Sequence, residues 1–194
     1  MSKNNTIINS HLKKDAALIF SDGSIFYGAG IGKKGQVFGE ICFNTALTGY
    51  QEILTDPSYC GQIITFTFPH IGNVGVNDCD IESLTPKASG LITREPITNP
   101  ANYRSNSHLN DWLIKNNLTG ISCVDTRQIT KITRQKGAKT VAIIFSHEKI
   151  IEIKNSKLNS LIYFDLPSLS FYNDQKFPVF CAHKIFYQLV ELCR

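Results

Sequence analysis

The sequence has no C-x-x-C pair, a single Met and a single Trp, and no apolar run long enough to cross a membrane. Its six cysteines, at positions 42, 60, 79, 123, 181 and 193, are spread along all 194 residues. Zinc sites and disulfide frameworks need closer, paired spacing. The pattern therefore argues for reduced thiols, with Cys42 and Cys123 acting as small core residues inside apolar runs. The opening MSKNNTIINSHLKKD is polar and lacks the apolar segment of a secretory signal. These absences point to a cytoplasmic protein with no membrane partner. Concentrated charge is missing too. Twenty Lys and Arg stand against 16 Asp and Glu, a net charge of +4, and the basic residues are scattered. Nucleic-acid binders gather charge on one face or arm, so no nucleic-acid partner is expected.

What is present is ordinary globular composition, 42% hydrophobic and 19% charged, in a chain long enough for one domain and an appendage. Three regions separate: a disordered leader over 1–15, a folded domain over 16–146, and an atypical tail over 147–194, partly disordered. Ala16 to Phe20 and Ser24 to Tyr27 read as strands of a hairpin turned at Asp22-Gly23. Gly28, Gly30, Gly32 and Gly35 follow. A dinucleotide loop needs its glycines to open a helix, whereas these lead into a strand, Val37 to Thr45, and are read as turns and bulges. Further strands are expected at Gly90 to Arg94, Gly120 to Val124 and Lys139 to Ser146. Helices are expected at Ser107 to Asn117, with Ser107 as N-cap, and at Thr126 to Lys136, capped by Asp125 and stopped at Gly137. The second carries Arg127, Lys131 and Arg134 at i, i+4, i+7, a basic face that is either solvated or meets an acidic partner.

Turn chemistry is densest from Phe43 to Asn77, FNTALTGYQEILTDPSYCGQIITFTFPHIGNVGVN. Thr48-Gly49-Tyr50 and Asp56-Pro57-Ser58-Tyr59 read as turns or short caps. Gln62 to Phe68 alternates β-branched and aromatic residues and reads as a buried strand. It ends in a loop rich in Gly, Asn and His, a natural functional edge. Ser58 can present a hydroxyl to a substrate amide or carboxylate, or can bond its own turn. His70 is a candidate acid or base without an identifiable carboxylate partner. Glu52 and Asp56 read as solvated acids, and Asp125 as a cap.

The run TGYQEILTDPSYCGQIITFTFPHIGNVGVN, with SDGSIFYGAGIG before it and GISCVDTRQITKITRQKGA after it, resembles the N-terminal half of the small, glutamine-using subunit of carbamoyl-phosphate synthetase. The likeness extends from about Ala17 to Ser146. It implies an α+β domain in a layered β/β/α arrangement of many short strands with two modest helices. It also implies a large-subunit partner, glutamine as the substrate of the complete assembly, and ATP and Mg bound by the large subunit and not by this chain. Ser58 matches the family's serine at the edge of the glutamine pocket.

The family's second half, a glutaminase with a Cys, His and Glu set, has no counterpart here. From His147 the composition shifts to HEKIIEIKNSKLNSLIYFDLPSLSFYNDQK. The expectation is a truncated small subunit that docks and shapes an interface but is not catalytic alone. The alternatives are a decayed product without a partner, and an independent cysteine hydrolase at Cys181. No glycine flanks Cys181, and His183 lies two residues on, facing another side of a helix. Ile185, Phe186, Leu189 and Val190 form the apolar stripe of an amphipathic tail helix.

Overall fold

The computed structural model describes residues 13–155. Cys181, His183 and the stripe from Ile185 to Val190 lie outside these residues. The chain divides into two units, Met1–Ile150 and Ile151–Arg194. The barrel described below belongs to the first.

Seven strands form it: β1 (Ala16–Phe20), β2 (Ile25–Gly32), β3 (Gly35–Asn44), β4 (Gln62–Phe66), β5 (Gly90–Ile92), β6 (Thr119–Ser122) and β7 (Thr140–Phe145). They close into a barrel in the order β1-β2-β6-β5-β4-β3-β7. The expected mix of many strands and few helices is present, and the strands close into a barrel. Closure follows from mixed pairing: β1-β2, β1-β7, β2-β6 and β3-β7 are antiparallel, whereas β3-β4, β4-β5 and β5-β6 are parallel. The parallel wall needs crossovers, and the helices supply part of them. Helix α1 (Tyr50–Thr55) lies between β3 and β4 and α2 (Leu109–Lys115) between β5 and β6, while α3 (Thr126–Lys136) leads from β6 to β7 and α4 (His147–Asn155) follows β7.

Strand alternation gives the barrel wall two apolar faces. Leu18, Phe20, Ile41, Ile63, Ile92, Ile121, Val141 and Ile143 form one cluster, joined by Ile129 of α3. Ile64, Phe66 and Leu91 face the other way and pack with Leu54 of α1 and Leu109 and Leu113 of α2. The i, i+4 pair in α2 is therefore what joins that helix to the wall. Ile63 and Ile64 are both fully buried, which explains why β4 reads as continuously apolar.

Gly32, with a φ of +72°, and Gly35 flank the turn at Lys33-Lys34 as expected, but Gly28 and Gly30 are neither turns nor bulges. Gly28 and Gly30 sit within the strand, paired with Ala16 and Ile121. A Cβ on Gly30 would run into the Phe145 ring, and one on Gly28 into the Ser122 carbonyl and the Val124 side chain. A narrow barrel accommodates Phe145 only if the facing strand has no side chain there.

Helix ends show two further differences. The Asp125 side chain accepts a hydrogen bond from the Gln128 N–H at 3.0 Å, as expected for an N-cap. For α2, however, the cap is His108, whose Nδ1 accepts from the Asn110 N–H at 3.1 Å. Ser107 is instead drawn into a bridge with Val76. Thr48-Gly49-Tyr50 leads directly into α1, a helix too short for periodicity to reveal.

Candidate functional site

Between α1 and β4, Asp56-Pro57-Ser58-Tyr59 folds into a single 3₁₀ turn, Pro57–Tyr59. Pro57 occupies the first position, where its missing N–H costs nothing. The Asp56 carboxylate accepts the Ser58 N–H at 2.8 Å, and the Tyr59 N–H donates to the Asp56 carbonyl at 3.1 Å. Asn44, at the end of β3, donates its side-chain amide to the Tyr59 hydroxyl at 3.1 Å and ties the turn to the barrel. Ser58 itself is exposed, and its hydroxyl has no hydrogen-bond partner among the described residues. The carboxylate stabilises this turn. The hydroxyl is left for solvent or for a ligand.

On the other side of α1, the loop after β4 folds back over the helix. The Tyr50 hydroxyl donates to the Gly75 carbonyl at 2.7 Å. Gln51 and Asn77 exchange two hydrogen bonds in a buried position. The Asn77 side chain donates to Asp80 at 2.6 Å, and Asp80 pairs with Arg104. Gly75 has a φ of +77°, and a Cβ there would strike Ser105. A cleft of about 230 Å³ opens where Gly49, Tyr50 and Glu52 face Gly75, Asp80 and Arg104. Burial raises the Glu52 carboxyl above its ordinary value, and nearby Asp80 adds to the shift.

The structure does not join the other candidates into a catalytic set. His70 is exposed and lies edge-on to Phe68 at 5.7 Å, with no ion pair among the described residues. Asp125 and Asp56 are both engaged as caps. Burial pushes the Cys42 thiol up to about 11, and the Cys123 thiol is also raised, first by burial. Neither is a ready thiolate at neutral pH. Among the described residues no group of three or more His, Cys, Asp or Glu side chains is placed to hold a metal ion, and no helix is long and apolar enough to cross a membrane.

Sequence reasoning missed Gln51, Asn77 and Arg104. The first two are 26 residues apart, and nothing local marks a buried polar pair. Arg104 stands in an Asn- and Ser-rich loop that reads as solvated. The basic face of α3 is borne out as exposed at Arg127, Lys131 and Arg134. The Arg134 guanidinium sits 5.0 Å from the centroid of the Phe43 ring.

The described unit is thus a small mixed barrel domain whose polar, chemistry-bearing residues are carried on turns outside the wall. Residues 18–143 match the carbamoyl-phosphate synthase small chain, CPSase domain, and the chain belongs to that family. It is 53% identical over 135 residues to the carbamoyl phosphate synthase small chain of Bradyrhizobium diazoefficiens, covering 68% of this chain and 34% of the relative. It is 47% identical over 161 residues to that of Rhizobium meliloti, covering 81% of this chain and 40% of the relative. The Neisseria meningitidis serogroup B protein is 48% identical over 137 residues, 71% of this chain and 36% of the relative. The chain therefore spans between a third and two fifths of the length of these relatives.

Proposed function

We propose that the barrel is the N-terminal docking domain of the small subunit of a glutamine-hydrolysing carbamoyl-phosphate synthase. That assembly makes carbamoyl phosphate from glutamine, bicarbonate and ATP, for pyrimidine and arginine synthesis, with ATP and Mg held by the large subunit. In this reading the chain forms an interface with the large subunit and contributes no bond-making group of its own. Ser58 supplies one edge of the glutamine pocket, which a glutaminase half completes.

The observation that carries the reading is the division of labour in the Asp56–Tyr59 turn. Asp56 satisfies the backbone, so the Ser58 hydroxyl is presented outward with its hydrogen-bonding capacity unspent. Family membership supports the partner. The test is a calorimetric titration of the full chain into a purified carbamoyl-phosphate synthase large subunit. Saturable binding at micromolar concentration or tighter is the expected result. Absence of binding at that concentration contradicts the reading.

A further inference from the structure

We infer that the exposed face of α3 is a docking surface for a carboxylate-rich protein surface on the large subunit. This rests on the docking reading above and adds which face is used and by what chemistry.

Helix α3 contains no acidic residue, and Arg127, Lys131 and Arg134 line its exposed side. At the rise of an α-helix these three span roughly 10 Å along one stripe. Among the described residues, the carboxylates nearest the helix in sequence or packing are used or make no pair with it. Asp125 accepts the Gln128 N–H, and Asp22 is taken by Lys136 and Lys139. Glu40, on the strand that α3 packs against, makes no ion pair with any of the three. Their charge is uncompensated among the described residues.

The face is also held rigid. Ile129 is fully buried in the barrel core, and the Thr130 and Thr133 hydroxyls are bonded to carbonyls four residues back, at 2.7 and 3.0 Å. The Arg134 guanidinium itself lies over the Phe43 ring, which fixes its plane and leaves the N–H donors at its edge for a partner. A preordered fork loses less entropy on meeting a carboxylate than a free lysine does. Two cations four residues apart with an anchored arginine beyond them fit carboxylates repeating at one helical turn. Bases of a single-stranded nucleic acid would need free aromatic platforms; α3 itself carries no aromatic residue, and the neighbouring Phe43 ring is taken by Arg134.

The test is a titration of the full chain against the large subunit at about 50 and about 200 mM salt, with Arg127→Glu/Lys131→Glu and Arg134→Lys alongside. The double variant should weaken binding by about tenfold or more and flatten the salt dependence, and Arg134→Lys should fall between it and the parent. Circular dichroism establishes that each variant is folded. Should the double variant not fold, Arg127→Gln/Lys131→Gln carries the same comparison with a smaller loss in the same direction. Binding by the parent that stays within twofold in the variants overturns this inference alone and leaves the docking reading standing. A short DNA duplex that binds the parent as tightly as the large subunit does also overturns it. No binding by the parent overturns both.

Discussion

Gln51 and Asn77 exchange two hydrogen bonds across α1 and the loop that covers it. The Gln51 side chain donates to the Asn77 carbonyl at 2.7 Å and accepts the Asn77 N–H at 3.1 Å. Both residues are buried, at 3% and 6% exposure, so water cannot replace either bond. Gln51→Ala strands a backbone donor and a backbone acceptor, and each costs about 1–3 kcal/mol when buried alone. Urea unfolding should show a loss of about 2–4 kcal/mol. A loss under about 0.5 kcal/mol would mean that the loop is held by other contacts.

The barrel interior sets the second expectation. Gly30→Ala places a methyl against the Phe145 ring, and overpacking of this kind costs about 1–3 kcal/mol. Phe145→Leu alone should also destabilise, by opening space. Because the two positions touch, the double variant should be less destabilised than the sum of the single changes. Strict additivity in thermal or urea unfolding would show that the ring does not need the glycine.

A comparison at the 3₁₀ turn separates the two roles read for Ser58. Asp56→Ala removes the carboxylate that caps the turn and should cost about 1 kcal/mol. Ser58→Ala should stay within about 0.5 kcal/mol, since its hydroxyl bonds nothing in the described residues. Equal losses would return Ser58 to a purely structural part.

The hairpin turn between β1 and β2 provides a pH dependence. Hydrogen bonds from Ser24, with help from Lys139, hold the Asp22 carboxyl far below the usual carboxylate range. Between the folded and unfolded values the unfolded chain binds the extra proton, so stability there rises with pH. The contribution is present above the ordinary carboxylate value of about 3.9 and is lost as pH falls toward the folded value. Asp22→Asn should therefore be less stable than the parent at about pH 6, and the gap should narrow as pH is lowered toward about 2. A gap independent of pH would remove Asp22 from the account.

How much of this was legible in the sequence depended on whether the cause was local. The hairpin turn at Asp22-Gly23, the strand at Ala16–Phe20 and the capped helix from Thr126 to Lys136 could each be read from neighbouring residues. Closure into a barrel could not. It depends on β2 meeting β6 and β3 meeting β7 across more than eighty residues. Gly28 and Gly30 looked like turns because what crowds them, Ser122 and Val124 for the first and Phe145 for the second, lies far along the chain. His108 took the cap from Ser107 for a similar reason, since Ser107 is engaged with Val76. At the candidate site, Ser58 was visible through its turn chemistry, whereas the Gln51–Asn77 pair and the Asp80–Arg104 ion pair were not.

Competition tests the docking account most directly. A complete small subunit from a relative is labelled and bound to its large subunit, and the full chain is added unlabelled. If the barrel occupies the place of the small subunit's N-terminal portion, the label is displaced in proportion to added chain. If the label stays bound while the chain is in large excess, this domain does not dock there, and the proposed role is wrong.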